Sequence, residues 1–145
     1  MKKIITLLAV SLLLSCSKSD DSSLPVTFQN MVGKWKYKSI IKADGTVIPY
    51  VGMCATKTDY AEIFNYRKIV TYNYYMDCNG ISNFGGSDYS FNSNNVIHVS
   101  SELFDEAKIT NLTSSGFTLE FDPPKSLNFM AEGVYDAKAL VFEKL

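Results

Sequence analysis

One stretch limits the folds open to this chain: Val32-Gly33-Lys34-Trp35-Lys36-Tyr37-Lys38-Ser39-Ile40-Ile41-Lys42. It holds the only tryptophan of the 145 residues, and it alternates. Trp35, Tyr37, Ser39 and Ile41 share one face; Lys34, Lys36, Lys38, Ile40 and Lys42 share the other. Period 2 with aromatics opposite lysines is the pattern of a half-buried antiparallel strand, not of a helix. The lysine stripe reads as its solvated outer face. Nine tyrosines and nine phenylalanines in the whole chain extend the same bias toward strands.

What precedes this strand reads as export and tethering. Met1-Lys2-Lys3 is a basic start, and Ile4 to Leu14 is almost wholly apolar but too short to span a bilayer as a mature helix. Residues 1–15 are therefore expected to be a secretory signal peptide. Ser17 to Ser23 contains no apolar residue and reads as a flexible tether, so residues 16–26 form a linker. Removing Lys2 and Lys3 with the leader leaves 12 basic against 15 acidic side chains, a mature net charge of −3. Nucleic acid, which needs a basic surface, is not an expected partner.

Three cysteines fall into two classes. Cys16 ends the leader. Cys54 and Cys78 lie in the globular part and have only each other, so a disulfide is the default in an exported protein. A metal site is the weaker alternative, given one histidine and no close cysteine spacing. The bridge would close about 25 residues and contribute roughly 3.5 kcal/mol on the chain-entropy model.

Beyond Lys42, Asp44-Gly45 marks a hairpin with Thr46 to Ile48 pairing back. Tyr50 to Asp59 reads as a loop. Strands are expected at Tyr60 to Phe64, Lys68 to Met76, Asp88 to Phe91, Val96 to Ser100, Ala107 to Leu112, Phe117 to Asp122 and Tyr135 to Phe142. Gly85-Gly86 breaks a loop at Ile81 to Gly86. Pro123-Pro124 turns the chain out of the sheet, and Ser126 to Gly133 follows as a loop with apolar Leu127, Phe129 and Met130. In the last strand Tyr135, Ala137, Ala139 and Val141 compete with Lys138, Leu140 and Phe142 for the inner face. About eight short strands with regular turns and no sustained helical period make an all-β chain: a small antiparallel up-and-down barrel over residues 27–145.

Two resemblances attach to these residues. Leu13-Leu14-Ser15-Cys16 resembles the lipobox of bacterial lipoproteins, which implies lipidation of Cys16 and anchoring in the cell envelope at the outer membrane, periplasmic or surface-exposed. Asp20-Asp21 reads either as solvated linker or as the acidic surface-export signal of some such proteins. Val32-Gly33-Lys34-Trp35 resembles the Gly-x-Trp start of lipocalins, in which the tryptophan plugs the closed end of the barrel. With the lipobox, tether and paired cysteines, residues 28–145 are most similar to the lipocalin-like domain of bacterial envelope lipoproteins. That implies an eight-stranded barrel and a cation packed on Trp35, although the only arginine, Arg67, falls in a turn. Thr58-Asp59-Tyr60 has the letters of the second lipocalin motif but comes too early in the chain.

An inward aromatic set of Trp35, Tyr37, Tyr72, Tyr74, Phe117 and Phe121 marks a pocket for a small hydrophobic ligand. Glu62 joins it if Tyr60 and Phe64 face in; the rival register puts Ala61 and Ile63 inside instead. An eight-stranded barrel is either filled by side chains or holds one small ligand. The alternative reading is therefore a filled barrel serving as a protein-interaction module or inhibitor. No catalytic pairing is visible. The only histidine, His98, falls on an outward position, no Gly-x-Ser-x-Gly occurs, and no cofactor or metal is implied.

Overall fold

The computed structural model describes residues 22–100, 104–129 and 133–145, without the side chains of 82–85. Cys16, the leader and the start of the tether lie outside the described residues, as does Met130. A one-turn helix α1 (Phe28–Met31) precedes β1 (Gly33–Lys42), β2 (Val47–Pro49), β3 (Tyr60–Ile63), β4 (Lys68–Tyr74), β5 (Ile81–Phe91), β6 (Val96–Val99), β7 (Glu106–Thr110), β8 (Gly116–Phe129) and β9 (Gly133–Lys144). Every pairing is antiparallel, and β9 returns to pair with β1. Eight strands therefore close into a barrel, with the short β2 hairpinned onto the far half of β1. The Asp44-Gly45 turn forms as its chemistry requires. Asp44 Oδ1 accepts the Thr46 N–H at 2.8 Å, and Gly45 takes a positive φ of 86°.

The barrel absorbs residues that locally signal a break. Ile81 to Gly86 is not a loop but the first half of β5; Gly85-Gly86 sits in a bulge between Ile69↔Ser87 and Thr71↔Phe84. Pro123-Pro124 does not leave the sheet, and Ser126 to Phe129 is strand rather than loop. β8 bulges between Glu120↔Ala139 and Lys125↔Ala137 across a cis Asp122-Pro123 bond, then pairs on to Phe129. Proline lacks the ladder N–H, and a bulge is where a sheet tolerates that loss. Leu127 and Phe129, placed beyond the bulge, are buried.

Bulges also change which face of a strand is inside. In β1 Tyr37 pairs with Phe142 and Ser39 with Val141, so Lys38 is an extra residue. The inner set is Trp35, Tyr37 and then Ile40, not Ser39 and Ile41. Lys138 is the extra residue of β9, between Ile41↔Ala139 and Lys42↔Ala137. The two competing faces of that strand are thus each correct on one side of it: Ala137 is buried before it, Leu140 and Phe142 after.

One end of the barrel is closed. Trp35 is 1 % exposed, and its indole N–H donates to the Met31 carbonyl at 2.7 Å. A buried indole that finds its acceptor keeps its full apolar contribution, about 3 kcal/mol. Met31 is fully buried, and Phe28 packs on Tyr89 and Phe91. The expected cation is Lys144, whose Nζ stands 3.8 Å above the Trp35 ring and donates to the Val32 carbonyl at 3.0 Å. Arg67 lies over Phe28 instead. Gly33 has φ 135°, and a Cβ there would run into the Lys144 ammonium. The glycine of Gly-x-Trp is thus the space that this cation occupies.

Candidate functional site

The barrel interior contains an apolar cavity of about 70 Å³ that reaches from Met31, Phe117 and Phe142 of the closed end to Leu127 and Phe129. Tyr37 of β1, Phe117, Leu127 and Phe129 of β8, and Phe142 of β9 supply its aromatic and aliphatic wall. Thr71 of β4 and Ser87 of β5 are polar breaks in that wall, and the Thr71 hydroxyl oxygen is buried without a hydrogen-bond partner. An unpaired buried hydroxyl costs on the order of 1–3 kcal/mol, so it is a standing acceptor and donor for anything that enters.

The expected pocket set divides. Tyr37 and Phe117 border the cavity. Trp35 and Phe121 are buried but do not border it; Trp35 belongs to the closed end and Phe121 packs on Phe104. Glu62, Tyr72 and Tyr74 are corrections. The register Trp35↔Ala61 and Ala61↔Thr71 puts Ala61 and Ile63 inside, so Glu62 points outward. There it lies 4.0 Å from Lys34. Tyr72 shares that outer face and stacks on Tyr60 with ring centres 4.6 Å apart. Burial first, and the Glu62 charge second, raise the Tyr72 pKa. Tyr74 lies under the Lys57 ammonium. On β4 the inward residues are Ile69 and Thr71, which border the cavity. The aromatics of this strand dress its outside, where Tyr60 covers Tyr72 and Lys57 covers Tyr74. His98 is exposed, with Nδ1 3.6 Å from Glu106.

The register that turns Glu62 out brings another carboxylate in. Asp59, two residues before Ala61, is 3 % exposed. It accepts the Tyr50 hydroxyl at 2.6 Å on Oδ2 and the Tyr74 backbone N–H at 2.8 Å on Oδ1. Among the described residues no lysine, arginine or histidine forms an ion pair with it. Its position was legible as the continuation of the Ala61/Ile63 alternation, but the residues before Tyr60 read as loop. Asp59 holds that loop down: a Cβ at Gly52 would stand 3.0 Å from its Oδ2.

Tyr50 packs on two residues of the cavity wall. Its ring lies 4.8 Å from Tyr37 and 5.6 Å from Phe129, both cavity-lining, and its N–H donates to the Lys38 carbonyl at 3.0 Å. Burial, and then the Asp59 charge, raise the Tyr37 pKa well above the tyrosine range, so its phenol stays a donor. The loop is clamped beside this site by the Cys54–Cys78 disulfide, with Cα atoms 5.2 Å apart, and by Lys57 Nζ donating to the Cys78 carbonyl at 2.7 Å. The open rim is apolar at Val51, Tyr75, Met76 and Ile81, all exposed.

No family model matches the chain, and no curated protein matches it. Among solved structures the chain is similar to a lipocalin-like protein from Bacteroides uniformis. That likeness has a TM-score of 0.54 at 16 % identity and covers 80 % of this chain and 99 % of that one. With the closed eight-stranded meander, the tryptophan plug and the cavity above it, the fold of this chain is a lipocalin-like β-barrel.

Proposed function

We propose that this chain is a lipid-anchored cell-envelope protein of the outer membrane whose barrel binds a small hydrophobic molecule and catalyses no reaction. The observation that carries the binding is the apolar cavity of the barrel interior, bordered by Tyr37 and Phe129, on which Tyr50 packs. The anchor rests on the leader and Ser15-Cys16. Acyl chains contribute about 0.8 kcal/mol per buried methylene, and several together hold a protein on a membrane durably. The fold is compatible with that arrangement. Leu24 N–H donates to the Leu112 carbonyl at 2.8 Å, so the chain enters at the closed end.

Native mass spectrometry of the protein, compared with the same sample denatured, tests the binding. An additional non-covalent mass that vanishes on denaturation is the expected result. Cys16→Ala should release the protein from the membrane fraction; persistence there would remove the anchor. A second reading has its own observation: 70 Å³ is about half of the ~150 Å³ that holds a benzene molecule. A filled barrel that docks a protein through its apolar rim follows if the native mass is bare polypeptide.

A further inference from the structure

Tyr50 packs against two residues of the cavity wall, Tyr37 and Phe129. Tyr50 has an apolar ring between Tyr37 and Phe129 and a hydroxyl that ends on Asp59. The loop that carries it is fixed at Cys54 and again at Asp59, and it leaves β1 through the two-strand hairpin. Rotation of Tyr50 outward would uncover Tyr37 and Phe129 and leave Asp59 Oδ2 without its hydroxyl donor, the Tyr74 N–H remaining on Oδ1. A buried acceptor left unpaired is costly, and a buried anion more so. Whatever replaces Tyr50 must therefore copy it, with an apolar body and a donor tip.

We propose that Tyr50 is a displaceable lid and that Asp59 behind it selects ligands with a cationic or hydrogen-bond-donating head over those with an anionic head. The proposal rests on the ligand-binding reading and adds a ligand class to it. Three features of the site support it. Asp59 has no cationic partner among the described residues, so an ammonium entering there neutralises a buried charge instead of displacing a lysine. The Asp59 charge acts on Tyr37, so its field reaches the cavity wall. The rings of Tyr37 and Phe129, which stay when Tyr50 leaves, present faces and edges that favour an alkylammonium close to the head. A carboxylate head would meet Asp59 as a like charge in a dry site.

The test is calorimetric titration of the mature chain carrying Cys16→Ala, with octylammonium, octanoate and octan-1-ol as probes, below their micelle-forming concentrations. Octylammonium should bind about tenfold or more tightly than octanoate, the ratio expected for one charge-assisted hydrogen bond. Asp59→Asn should bring the two within about twofold and weaken octylammonium more than octan-1-ol. Tyr50→Phe keeps the ring, removes the donor that satisfies Asp59, and should tighten octylammonium binding. It carries the test if Asp59→Asn does not fold. Octanoate binding as well as octylammonium, or no gain in Tyr50→Phe, overturns the selection by Asp59 and leaves the ligand-binding reading standing. No binding of any of the three probes overturns both.

Discussion

The two ends of this barrel are closed by different physics. At the closed end Trp35, Met31, Phe117 and Phe142 interlock as core, and the polar atoms among them are met by backbone: indole to Met31, ammonium to Val32. At the open end the Tyr50 ring packs on Tyr37 and Phe129, with its hydroxyl bonded to Asp59 and its loop stapled through Cys54–Cys78. The rim there exposes Met76 at 75 % and Val51 at 55 %. Packing that spreads over many contacts makes an end that opens only when the protein unfolds. Closure through a few separable contacts makes an end that can open alone.

The largest expected effect is at the closed end. Trp35→Ala should cost about 3–5 kcal/mol, read as a lower urea midpoint with unchanged slope. A loss below about 1 kcal/mol would mean that the tryptophan is not the keystone of that end. Next is the staple. Cys54→Ser with Cys78→Ser should cost about 2–4 kcal/mol, and amide exchange should accelerate over residues 50–59 before any change around Trp35. Uniform acceleration would erase the distinction between the two ends.

A smaller effect is set by pH. Tyr37 resists ionisation because of burial, then because of Asp59; Tyr89 resists it because of burial. A phenol whose folded pKa is raised contributes stability that is complete below about pH 10 and lost as pH climbs toward the folded value. The urea midpoint should therefore fall above about pH 10, and Tyr37→Phe should flatten part of that fall. An equal slope in the variant would place Tyr37 outside the titration. Least of all, Glu62→Gln should change stability by no more than about 0.5 kcal/mol, since an exposed pair at 4.0 Å is worth little. A larger loss would contradict its outward placement.

Local rules read the elements that are local. The Trp35 strand, the Asp44-Gly45 hairpin, the Cys54–Cys78 pair and outward His98 follow from period, turn chemistry and elimination. What escaped depends on pairing between distant strands. Gly85-Gly86 and Pro123-Pro124 look like stops until a neighbouring strand turns each into a bulge. Glu62 and Asp59 exchange places according to a register fixed by Trp35↔Ala61. Tyr72 and Tyr74 are as apolar as a core strand but find cover from Lys57 and Tyr60 outside. Lys144 meets Val32 across a separation of 112 residues, beyond the reach of any window.

The extra residue at Lys38 sets a phase. Before it odd-numbered residues of β1 face the core; after it the even-numbered Ile40 does. Deleting Lys38 would remove the bulge and restore strict alternation, with Tyr37↔Phe142, Ser39↔Val141 and Ile40↔Leu140 kept as partners and Ile40 still inside. The strand thus behaves like a coding sequence with a built-in frameshift. Substitutions along it are read one at a time, loss of the extra residue closes the bulge, and a deletion elsewhere shifts the frame of all that follows.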